Sequence, residues 1–171
     1  MRIMRYFSVV CFVTFVVTTI ALALARPDLS LRDDQISALL DGEFAVGAQG
    51  AFIVLAAGAG GLGYVEFHCG RVPLAVALVI FAAATLSAGL TSPRSLTHSG
   101  AALVAFIAVP VAVGTATFIS PARRAALIGI AMATLAFWPL GVGLGERVTV
   151  YGEISFLAWE ALRSRGRRPS L

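Results

Sequence analysis

Six apolar runs, separated by short polar stretches, set the frame of this chain. They cover residues 7–25, 44–65, 72–90, 99–119, 125–145 and 148–162. At ~1.5 Å per residue the first run reaches ~28 Å, close to the thickness of a bilayer's hydrocarbon core. The pattern predicts an all-α fold: one polytopic transmembrane bundle of six helices spanning 1–171. A cleaved signal peptide is the rival reading for 7–25, because Ala23-Leu24-Ala25 resembles a cleavage site. A signal core runs to only about 7–15 residues, which favours a retained helix.

The interruptions carry as much information as the runs. The longest is Leu29–Glu43, which together with Asp28 holds five of the nine acidic residues. Ser30 followed by Asp33 fits a helix cap with an acid three positions on. Ile36, Leu39 and Leu40 then share one face. The expected element is a short helix on the membrane surface, docked on the bundle or on lipid headgroups, within an outer loop 26–43. The second run is rich in small residues, with Gly47/Ala51, Ala56/Gly60 and Ala57/Gly61 each four apart. Such pairs let helix backbones approach where lipid gives no hydrophobic drive to associate. Pro110 lies inside the fourth run, and Pro139 inside the fifth predicts a kink near Trp138. The last run is short and contains Glu153 and Glu160. Its apolar residues, including Ile154, Phe156, Leu157 and Trp159, still favour a sixth helix.

Composition agrees with the pattern. Of the residues 58% are hydrophobic and 13% charged, with a mean hydropathy of +0.89. A soluble domain carries about a quarter charged residues. All thirteen basic residues are arginine. With both ends in the cytoplasm, Arg2, Arg5, Arg71, Arg123, Arg124, Arg163, Arg165, Arg167 and Arg168 lie inside. Arg26, Arg32, Arg94 and Arg147 lie outside, and the excess inside satisfies the positive-inside rule. The basic tail then contacts anionic membrane lipid. It lacks the aromatic residues that stack on bases, so nucleic acid is not an expected partner. Cys11 and Cys69 fall at different depths, which argues against a disulfide. Their number and spacing argue against zinc.

This arrangement predicts a polar layer near the outer face. Gln49 and Glu153 each stand five residues into their runs, about 8 Å below the edge at ~1.5 Å per residue. Thr18, Thr19, Thr85 and Ser87 fall at similar or shallower depth. His98, Arg94, Glu146 and Arg147 lie at the mouth, with loop 26–43 as a candidate lid. An ionisable group inside a span is costly, so Glu153 is a candidate functional residue. The bland alternative is a shallow, hydrated carboxylate paired with Arg147 or Gln49. His98 at a helix start fits a base, a metal ligand or a pH sensor, or more simply a helix-end histidine bonded to a neighbouring carboxylate or carbonyl. Asp33 and Asp34 could join it in a hydrolytic or metal site. However, Asp33 is better explained by capping, and no metal-ligand spacing, serine-nucleophile motif or phosphate loop is present. No cofactor and no metal are expected. The candidates are therefore His98, Asp34 and Glu153 for chemistry, and Gln49, Glu146, Arg147 and Arg94 for ligand binding.

Three segments add a resemblance: DDQISALLDG after the first run, THSGAALVAFIAVPVAV opening the fourth, and GLGERVTVYGEISFLAW entering the sixth. In these the chain resembles the small six-helix bacterial and archaeal membrane proteins grouped as domain of unknown function 998. The resemblance implies six helices and points to Ile36, Ser37, His98 and Arg147. Glu146 stands where the family more often has an amide. It implies no activity. The expected function is a non-enzymatic integral protein of the cell membrane that binds lipid, a membrane-protein partner or a second copy. Two alternatives stay open: an intramembrane lipid hydrolase using His98 with Asp34 or Glu153, and a proton-coupled carrier using Glu153.

Overall fold

The computed structural model describes residues 1–115 and 121–163. Six α-helices follow one another: α1 (Arg2–Ala25), α2 (Ala45–His68), α3 (Val72–Leu90), α4 (Leu96–Thr115), α5 (Pro121–Phe137) and α6 (Val142–Arg163). Two short 3-10 turns, Ile36–Leu40 and Trp138–Leu140, complete the described structure, which contains no strand. Among the described residues three helices, α1, α2 and α3, are long and apolar enough to cross a membrane. The expected turn at Ser120 and the basic tail at Arg165, Arg167 and Arg168 lie outside the described residues.

Packing follows the chain with one crossover. The second helix lies between α1 and α3, α4 packs on α3, α5 packs on α6, and α6 returns to α1. The core is built from Phe12, Phe15, Leu62, Leu78, Val109 and Leu157. Val13, Val17 and Ile20 of α1 and Val76, Val79 and Ile80 of α3 are exposed. An apolar outer face of this kind suits lipid, which imposes no penalty on it.

The small residues of α2 do set its approach to α1, in a register that differs from the expected one. A Cβ added at Gly58 would lie 2.7 Å from the Cys11 Cβ and 3.0 Å from the Phe12 ring, whereas one added at Gly60 would meet open space. Gly61 faces Ser8 and Phe7. The small row against α1 is thus Gly58 and Gly61, three apart, and Gly60 points away.

Two further expectations change. Residues 125–145 were expected as one kinked run, and the structure breaks it. Pro139 supplies no backbone N–H, the chain tightens into the 3-10 turn, and Gly141 takes φ 153°, a backbone conformation L side chains rarely adopt. The sixth helix therefore starts at Val142 instead of Val148. This draws Glu146 and Arg147 out of the turn and into the helix, and sinks Glu153 to ~16 Å from the helix start at ~1.5 Å per residue. The surface helix of the loop is likewise replaced. Ser30 does organise a turn: its hydroxyl accepts from Asp33 N (3.2 Å), and its backbone N–H donates to Asp34 Oδ2 (2.7 Å). Only Ile36–Leu40 coils further, and Ile36, Ser37, Leu39 and Leu40 are buried. The loop inserts its apolar face into the bundle instead of lying on top of it.

Candidate functional site

The loop is stitched onto the first turns of α6. Two glycines make the close approach possible. A Cβ at Gly141 or Gly143 would collide with the backbone carbonyls of Arg32 and Asp34 respectively. Leu144 N donates to Arg32 O (2.9 Å), which satisfies one of the N–H groups a helix start leaves open. Arg147 Nη1 donates to Leu31 O (2.9 Å), Asp34 O (2.6 Å) and Gly143 O (3.0 Å). Arg147 Nη2 is buried with no acceptor among the described residues. In return, Ile36 N donates to Glu146 Oε2 (2.8 Å). Neither buried charge pairs with an opposite side-chain charge; both are absorbed by loop backbone.

Beneath this roof lies a cavity of about 50 Å³. Each water needs roughly 10–15 Å³ by the same measure, so the space takes a few waters or one small head group. Its walls come from α1 (Phe15), α2 (Phe52, Leu55), α3 (Phe81, Thr85, Ala88), α4 (His98, Ala102, Ala105, Phe106) and α6 (Glu146, Val150, Glu153), with Ile36 and Ser37 above. Ser95 accepts from His98 N (3.1 Å) and so starts α4 with a side-chain cap. His98 Nδ1 lies 2.9 Å from Ala88 O. A carbonyl only accepts, so Nδ1 carries the proton, and in the neutral ring Nε2 is left as an acceptor. Glu153 is 2% exposed and makes no hydrogen bond among the described residues.

The structure thus brings three of the candidate residues, His98, Glu146 and Glu153, to one cavity and leaves the others elsewhere. Asp34 is half-buried in the loop with its carboxylate on Ser30 N, outside the cavity lining. Arg147 lies beside the cavity and serves the roof. Gln49, in the first turns of α2, is half-buried and does not line the space. Arg94 is exposed and pairs loosely with Asp41 (3.5 Å). The predicted common layer separates because the true start of α6 lies six residues earlier. Among the described residues no group of His, Cys, Asp and Glu could hold a metal ion.

Sequence reasoning missed the opposite end of the bundle. Glu66, expected in a turn, is 1% exposed at the end of α2. Arg71, just before α3, donates to Glu66 Oε1 (2.8 Å), and its Nε is also paired with Glu66. Its Nη1 reaches Glu160 of α6 (3.9 Å). One arginine therefore joins three helix ends. The signal was present in the numbering: Glu146, Glu153 and Glu160 are seven apart, and a seven-residue step returns to within ~20° of the same helix face. All three are buried. A comparison of the chain with family models, curated proteins and solved structures finds no match.

Proposed function

We propose that this is a multi-pass integral protein of the cell membrane, with all six helices crossing and both ends in the cytoplasm. We propose further that it acts as a non-enzymatic binding bundle and takes a lipid or another small amphiphile into the cavity beneath loop 26–43. The cavity carries this reading: a concave, mostly apolar space with a few converging polar groups is the usual form of a small-molecule site. A loop fixed by Glu146 and Arg147 roofs it. The charge count supports the orientation: nine arginines, at 2, 5, 71, 123, 124, 163, 165, 167 and 168, fall on the side assigned to the cytoplasm, against Arg26, Arg32, Arg94 and Arg147 on the other. Membership of the domain of unknown function 998 family is part of the same proposal and rests on the three segments quoted above.

The test is purification in a mild detergent followed by mass spectrometry of the bound lipid. Wild type should carry a stoichiometric lipid, and Ala102→Trp, which fills the cavity, should lose it. The same lipid in both at equal amounts overturns the reading. A stoichiometric protein in place of a lipid moves the function to partner binding.

The position of Glu153 favours a second reading, a proton-coupled carrier, because the residue lines the cavity with no hydrogen-bond partner among the described residues. Proteoliposomes of Glu153→Gln would then lose a substrate-dependent proton flux that wild type shows. The hydrolase reading draws on His98 and Glu153 alone, since Asp34 is engaged in the loop.

A further inference from the structure

The polar groups facing the cavity share a chemical bias. Glu153 presents two carboxylate oxygens and Glu146 presents Oε1, because Oε2 is taken by Ile36 N. His98 presents Nε2, an acceptor in the neutral ring. The hydroxyls of Ser37 and Thr85 can serve either way. Among the described residues no Arg or Lys lines the space. The nearest cation in sequence, Arg147, is turned into the carbonyls of the loop. The remaining wall is apolar, with Phe15, Phe52, Phe81 and Phe106 around the space beside aliphatic residues such as Leu55 and Val150.

Acceptors without matching donors, inside an apolar wall, carry a cost that a donor-rich ligand removes. Buried polar groups are normally hydrogen-bonded, and a buried carboxyl is normally paired with a cation or held neutral. Glu153 has neither a hydrogen bond nor a cation partner among the described residues, although it is 98% buried (2% exposed). Phenyl rings add attraction for a cation over their faces. A hard metal ion fits less well, because it takes six or more oxygen ligands and most of the wall offers none.

We infer that the cavity binds an organic ammonium group, with Glu153 as its counter-ion, Glu146, His98 Nε2 and the two hydroxyls as further acceptors, and the four phenyl rings as its apolar enclosure. This rests on the binding-bundle reading and names the ligand class within it. A free alkylamine and the amine of a lipid headgroup offer the same chemistry.

The experiment compares three probes of one shape, n-butylammonium, n-butanol and butyrate, at constant ionic strength. Binding to the full chain in detergent is read by saturation-transfer NMR. The ammonium should bind at least tenfold more tightly than butanol, with butyrate weakest. Glu153→Gln should cost the ammonium tenfold or more and leave butanol unchanged. A wild-type measurement stands beside the variant in case it folds poorly. Carbodiimide modification of Glu153, mapped by mass spectrometry, should be slowed by butylammonium and not by butanol. Equal binding of butanol and butylammonium, or equal protection by both, overturns the ammonium inference and leaves the cavity as a site. Signal from none of the three overturns the inference and the binding reading together. Vesicle-derived lipid released from the purified protein separates the two sources: an aminophospholipid points to a headgroup, and its absence with tight butylammonium binding points to a free amine.

Discussion

Arg147 holds the roof of the cavity through a single nitrogen that serves three carbonyls. Replacing it with Met keeps much of the side-chain length and removes the donor. A buried polar group left unpaired costs about 1–3 kcal/mol, so Arg147→Met should destabilise the loop by about 2–3 kcal/mol through Leu31 O and Asp34 O. Ser37→Cys, at a buried position, reports the result. It should resist a polar maleimide in the parent and react in the Arg147→Met background. A second residue-scale test uses pH. Asp28 accepts from Arg26 Nε (2.8 Å) and Nη2 (2.6 Å), and these bonds hold its carboxyl below the ordinary carboxylate range. A group whose folded pKa is depressed stabilises the fold fully above its unfolded value, near 3.9, and loses that contribution as pH falls through the lower folded value. Hydrogen exchange at the start of the loop, residues 26–30, should therefore rise below about pH 4, after correction for intrinsic rates. Asp28→Asn should abolish that acid step. An acid step that survives Asp28→Asn unchanged would assign it to another group.

At the scale of the elements, the contact of α1 with α2 gives the sharpest contrast. Gly58 touches Cys11 and Phe12, whereas Gly60, two positions on, meets nothing. Gly58→Val should cost about 1–3 kcal/mol through overpacking, seen as a lowered detergent unfolding midpoint, and Gly60→Val should be near neutral. Equal effects would mean that α1 sits elsewhere. The same helix shows what the sequence could and could not disclose. Its small residues announced a close crossing, but periodicity gives no direction, so the pair four apart at Ala56/Gly60 was as readable as Gly58/Gly61. The apolar runs located all six helices, since burial in lipid and burial in a core ask for the same residues. Helix ends were the weak point. Pro139 reads equally as a kink or a stop, and only the tertiary position of the loop, lying on Gly141 and Gly143, decides for a stop. The displacement of α6 then misplaced Glu146, Arg147 and Glu153, while His98, fixed by its own cap at Ser95, was correctly set at the start of α4.

For the whole molecule, the loop end and the opposite end are closed by different chemistry. Backbone carbonyls and one amide quench the charges at the first. At the second, Arg71 ties Glu66 to Glu160. Removing one member of a buried ion pair costs about 3–5 kcal/mol, whereas replacing the set with neutral groups is often tolerated. Arg71→Gln should therefore lower the unfolding midpoint sharply. The triple change Glu66→Gln, Arg71→Gln, Glu160→Gln should recover most of the loss. No recovery would show that the cluster holds the ends together by more than charge compensation.

The seven-residue spacing of Glu146, Glu153 and Glu160 also limits how the bundle can move. All three lie along one line of α6, facing inward. If the helix crosses the membrane as proposed, turning it about its own axis would deliver the whole line to lipid at once. A single ionised side chain at mid-depth costs about 2.5–3.5 kcal/mol on insertion scales. The sixth helix therefore behaves as a keyed shaft, able to slide or tilt but not to spin. Any opening of the cavity must come from its neighbours, among which α4 packs mainly on α3 and only lightly on α6.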